Sequence, residues 1–192
     1  MHPAEHRALR EVHAFARQLQ RHWSALGRRL GGPEGELLQA GAAEAQEVLG
    51  ELEAAAARRG LGTRPAASVV GWLVSARPPA PDVALEYNQA LRWALHDCDH
   101  VTVGLRYSAR LAAARGDDVL RALLDGWAER LEHRLEQIRA SAIATGDQPD
   151  AAIAPADDSG AGRIGHRVAY AMGAAGEWID RQSARRRGGA DG

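Results

Sequence analysis

The chain has 192 residues, enough for one domain with a substantial core. Apolar residues make up 45% and aromatics only 5%, Ala is abundant, and runs of Val, Ile and Thr are nearly absent, so the chain reads as globular and helical. A net charge of −1 offers nothing to steer it toward nucleic acid or anionic lipid, and a single cysteine excludes an intrachain disulfide.

The first helix is predicted from Pro3 to Leu30, where Leu9, Val12, Phe15, Leu19, Trp23, Leu26 and Leu30 recur at steps of three and four. Its opening, "MHPAEHRALREVH", is charged and lacks the apolar core of a secretory signal, and no later run approaches the roughly 20 apolar residues of a membrane span. A cytoplasmic location is therefore expected. "GGPEG" ends the first helix, and Pro33 suits the opening of the next. The second helix runs to about Arg59 with Leu37, Leu38, Gly41, Ala45, Val48, Leu52 and Ala55 on one side.

A long connection follows, about Gly60 to Pro81, holding an apolar patch, "SVVGWLV", and the stiff "ARPPAP". Asp82 suits the N-cap of a third helix, about Val83 to Arg115. "RGDD" is a tight turn into a fourth helix, about Val119 to Ala144, which carries Leu120, Leu123, Leu124, Trp127, Leu131, Leu135 and Ile138. Residues 146–161 read as a flexible linker, 162–186 as an amphipathic C-terminal helix, and 187–192 as a frayed tail. Residues 1–145 then form a four-helix bundle. Short turns make the first and second helices, and the third and fourth, antiparallel neighbours, and the long middle connection can cross the length of the bundle.

Within this frame, "AAEAQEVLGELEAAAARRGLGTRPAASVVGW" and "ALHDCDHVTVGLRYSARLAAARGDDVLRALLDGW" resemble the second helix and the third-to-fourth helices of small bacterial ferritin-like proteins, including stress-associated groups of unassigned activity. The resemblance spans roughly Glu34 to Ile143 and implies an all-α, ferritin-like four-helix bundle with a long crossover between helices two and three and an additional C-terminal helix. Members with a di-iron centre supply a carboxylate from each of two helices and a Glu-x-x-His pair from each of the other two. Here the second helix carries Glu44 and Glu47 without His, and in the fourth His133 follows Glu129 by four residues rather than three.

The richest cluster of potential ligands is His96, Asp97, Cys98, Asp99 and His100. At about 100° per residue, Cys98 falls at the centre of the apolar stripe, His96 and His100 on the opposite side, and the two aspartates on the flanks. The residues therefore do not converge. His96 and His100 could hold a divalent ion only with a third ligand from elsewhere. Glu44 and Arg134 lean toward the core and are expected to pair, with Glu5 and His22 near the stripe of the first helix. "GAGRIG" at Gly160 follows no strand pattern and so fails as a dinucleotide loop. No catalytic, cofactor-binding or metal residue is assigned, and no cofactor is expected.

The C-terminal segment places Ile164, Val168, Met172, Ala175 and Ile179 on one stripe, with small Gly165, Ala169, Gly173 and Gly176 and polar Arg163, Arg167, Glu177 and Asp180. It can dock on the bundle, bind a partner or second subunit, or lie on a membrane surface. The reading is a non-catalytic bundle acting through self-association or a protein partner. The alternative is a divergent di-iron or hemerythrin-like bundle with oxidoreductase or oxygen-binding activity, drawing on His13, His22 or His133 as further ligands.

Overall fold

The computed structural model describes residues 2–60 and 84–188, with side chains to residue 182. These residues are all-helical: α1 Pro3–Leu30, α2 Gly32–Ala57, α3 Tyr87–Ala113, α4 Asp118–Ala144, the short α5 Pro149–Ala152 and α6 Gly160–Gly188. The predicted connection with its "SVVGWLV" patch, the cap at Asp82 and residues 189–192 of the tail lie outside the described residues, apart from Gly60 at the connection's start.

Four long helices enclose one core, and interhelical contacts fix their directions. Gly31 and Gly32, at φ 60° and 57°, turn the chain between α1 and α2 with positive φ values that glycine adopts at least cost. The two backbones then touch: a Cβ at Gly35 would lie 2.5 Å from the carbonyl oxygen of Gly27. Along α1 and α3, Glu5 meets Arg115, His100 sits against Phe15, and the Trp23 indole Nε1–H donates to the Ala94 carbonyl. These helices are antiparallel. Between α2 and α4, Arg134 pairs with Glu44, Trp127 donates to Glu51 and Arg59 pairs with Asp117, so these too are antiparallel. It follows that α2 and α3 run in the same direction and that Gly60 and Ala84 lie at opposite ends of the bundle.

The core joins Leu19, Val48, Cys98, Leu105, Trp127 and Leu131, the residues that the periodicity of each helix turns inward. Burial of such apolar stripes, rather than propensity alone, stabilises the helices.

Two boundaries differ from expectation. Helix α3 starts at Tyr87, not Val83, with Glu86 and Gln89 forming a capping box. The chain just before it pairs with a distant segment instead: Tyr87 N–H donates to Ala154 O, and Ala156 N–H to Leu85 O. For the same reason the stretch expected to be a flexible linker carries structure. It holds a 3₁₀ turn at Thr145–Asp147, then α5, then the bridge to Glu86, with Ala156 buried and Asp157 paired with Arg29. Helix α6 opens at Gly160, where the Ser159 hydroxyl accepts from Gly162 N–H, and runs through Gly188, past the point where the sequence suggests fraying.

Candidate functional site

The segment His96–His100 splits three ways around α3. Cys98 is buried, its Sγ–H 3.6 Å from the Leu131 carbonyl oxygen. Burial, with the negative charge of Asp99 and Glu44 nearby, pushes its thiol well above the ordinary range, so it stays protonated and is no nucleophile. Asp97 turns toward α1, where it accepts from His22 Nδ1–H with both side chains about nine-tenths buried. His96 and His100 are exposed. The His100 ring packs edge-on against Phe15, with centroids 3.9 Å apart, and its Nε2 lies 4.0 Å from Glu11. Asp99 faces solvent on the opposite flank.

The carboxylates and histidines that resemble a ligand set are held elsewhere too. Arg134 grips Glu44 with two nitrogens, Nη2 at 2.5 Å and Nε at 3.3 Å, in a half-buried pair, as the sequence suggests. Asp125, Glu129 and Glu132 converge on Arg106 of α3, whose Nε and Nη2 form a bidentate pair with Glu132 and whose Nη1 reaches Asp125 at 3.0 Å and Glu129 at 3.8 Å. His13 pairs with Glu53 at 3.2 Å, and His133 lies beside Gln137. Buried Glu5 lies 3.6 Å from Arg115. Among the described residues, no three His, Cys, Asp or Glu side chains gather as a metal would need. The residues present do not fit a di-iron centre, because guanidinium groups occupy the positions next to the carboxylates.

Sequence reasoning missed Arg106. Its signal was available: Asp125, Glu129 and Glu132 at i, i+4 and i+7 make an acidic strip on α4 that calls for a cation. It missed the pairing of His22 with Asp97 for lack of any local signal.

Among the described residues, the C-terminal helix is the one long helix that the core does not absorb. Residues 167–181 are all exposed, including Val168, Met172 at 73%, Trp178 and Ile179, with Ile164 at 65% just before them. Docking on its own bundle, one of the expected placements, is not what is found. The attachments of α6 lie in its first turns, where His166 contacts the Ile153 carbonyl at 2.9 Å and Arg163 the Asp158 carbonyl. Among the described residues no helix is long and apolar enough to cross a membrane. The chain matches no family model, and no curated protein matches it.

Proposed function

We propose that this chain is a non-catalytic, ferritin-like helical bundle that acts through self-association or a protein partner, with α6 as the contact element. The observation that carries this reading is the open apolar face of α6: five large side chains, Ile164, Val168, Met172, Trp178 and Ile179, stand in water on one helix. Large contiguous apolar patches on a folded chain mark interaction surfaces. The helix directions support the ferritin-like topology, since α2 and α3 run parallel and require a crossover. The locked carboxylates support the absence of catalysis. A cytoplasmic location and the stress association implied by the resemblance belong to the same proposal.

The test is metal analysis of untagged protein together with its mass in solution. The expected result is no stoichiometric iron or zinc, and association beyond the monomer that Val168→Asp with Met172→Asp abolishes while helicity is kept. Metal near one atom per chain, lost on His96→Ala and His100→Ala or on Glu44→Ala, would overturn it.

A further inference from the structure

The net charge of −1 conceals an uneven distribution. Helix α2 carries six glutamates and no basic residue, whereas α1 carries six arginines against Glu5 and Glu11. At about 100° per residue, five of those arginines, Arg7, Arg10, Arg17, Arg21 and Arg28, fall within about 80° of one another. They form a line about 30 Å long, opposite the buried stripe of Leu9, Leu19 and Trp23. Arg10 is half-buried and the other four are exposed. The line is bare of counter-charge. Glu5 is buried against Arg115, and Glu11 lies toward His100. On the α2 side, Gln46 shares a groove with Arg17 and Arg21, and the acid in that groove, Glu53, is paired with His13. Among the described residues, Arg7, Arg10, Arg17 and Arg21 make no side-chain hydrogen bond or ion pair, and Arg28 bonds the Ser24 hydroxyl. On α3 and α4, by contrast, Arg106, Arg121, Arg134 and Arg139 each hold a carboxylate. Residues 61–83 contribute two arginines and one acid, Asp82, so they carry too few carboxylates to neutralise five guanidiniums.

We infer that α1 lays this line of arginines against the phosphates of double-stranded DNA. The inference is independent of the reading of α6 as a contact element. The chemistry of the face selects the partner. Guanidinium forks match phosphate oxygens, and a DNA duplex supplies one negative charge about every 1.7 Å of its axis. Like charges three and four residues apart, as in Arg7 with Arg10 and Arg17 with Arg21, repel one another on the free helix, and a polyanion removes that cost. Among the described residues, no large apolar side chain is exposed on α1 or α2. The face therefore has nothing to insert into a membrane and no aromatic anchor for a protein partner. With no ring standing on the line, it also lacks a platform on which single-stranded bases would stack. The major groove of B-form DNA, about 12 Å wide, admits a helix about 10–12 Å across, and arginines spread over about 80° reach phosphates on both its walls. The deep, narrow major groove of an RNA duplex does not admit one. The contacts are to the backbone, so binding is independent of base sequence.

The experiment titrates full-length protein into a fluorescein-labelled DNA duplex of mixed sequence, about 30 base pairs long, and reads anisotropy at about 50 and 200 mM NaCl. With five phosphates engaged, the plot of log affinity against log salt should have a slope of about −4.5, a loss of about 500-fold between those two salts. Arg7→Gln with Arg17→Gln and Arg21→Gln changes three exposed side chains and should bind at least about tenfold more weakly, with the slope reduced to about −1.8. The control is Arg92→Gln with Arg110→Gln and Arg139→Gln, three exposed arginines on α3 and α4 whose loss changes the net charge by the same amount. It should bind within about threefold of wild type and keep the slope. Circular dichroism checks that both variants keep their helicity. A wild type that does not bind the duplex at the lower salt overturns the inference. So does an α1 variant that binds like wild type, or a control that loses as much as the α1 variant. Equal affinity for an RNA duplex of the same length overturns the choice of DNA. Binding to phosphatidylglycerol vesicles that the α1 variant abolishes, with no binding to DNA, overturns it in favour of an anionic lipid surface.

Discussion

Gly41 faces the core of α2 directly beneath the Trp23 ring. A methyl group there would lie 2.5 Å from Trp23 Cε3, closer still to Cζ3, and 3.1 Å from Arg134 Cγ. Trp23 is fully buried, and its Nε1–H is committed to the Ala94 carbonyl at 3.1 Å, so the ring cannot retreat without giving up that bond. Overpacking of this kind costs about 1–3 kcal/mol, and an unpaired buried donor about 1–3 kcal/mol more. Helix propensity works the other way, since Ala is favoured over Gly in a helix interior by about 1 kcal/mol. Gly41→Ala should therefore destabilise by about 1–5 kcal/mol. Gly50, nine residues along the same helix with open space around it, supplies the control. Gly50→Ala keeps only the propensity gain and should stabilise by up to about 1 kcal/mol. The two changes are chemically identical and should differ in sign. Urea unfolding followed by circular dichroism, at one protein concentration, measures both. Combining Gly41→Ala with Trp23→Leu should recover part of the loss, as expected for residues in contact. If Gly41→Ala stabilises as Gly50→Ala does, Trp23 does not lie over Gly41 and the α1–α2 packing described here is wrong.

Leu131→Ala should cost about 2–5 kcal/mol, because the side chain is fully buried in the core and its removal leaves a cavity; a change below about 0.5 kcal/mol in the same assay would place Leu131 at the surface. Tyr87 donates its hydroxyl to Glu34 at 3.0 Å, and burial, with that carboxylate beside it, pushes its pKa up to about 12. Folding therefore favours the neutral phenol: its stabilisation is complete below about pH 10, the unfolded value, and is lost as pH rises toward 12. In Tyr87→Phe the unfolding free energy should decline less steeply across that window. Asp117 accepts from Leu120 N–H at 3.0 Å as the N-cap of α4 and pairs with Arg59, which holds its carboxyl below the usual range. Asp117→Ala should cost about 1–2 kcal/mol at neutral pH. The cost should disappear as pH falls below the ordinary Asp range and through the lowered value, seen as converging thermal melts of variant and wild type.

Much of the fold is legible in the sequence because it is set by local rules. Leu9, Val12, Leu19, Trp23 and Leu26 recur at helical spacing, and burial follows from that spacing whatever they pack against. Gly31 and Gly32 mark the turn for a reason internal to the chain, the positive φ that only glycine adopts freely. The inward lean of Glu44 and Arg134, 90 residues apart, is likewise a property of each helix alone, and charge suffices to predict that they pair. Other features depend on how whole helices are rotated and stacked. Asp97 and His22 meet across 75 residues, and Arg106 collects three carboxylates from α4, only because α1, α3 and α4 settle with those flanks opposed. Helix α3 begins at Tyr87 because Leu85 and Tyr87 give their backbone groups to residues 154–156, a bond no local propensity encodes. The stripe from Ile164 to Ile179 looks the same in sequence whether the helix closes over its own core or stays open. Periodicity says that a face must be buried but not against what, and only the tertiary structure leaves that face of α6 turned outward.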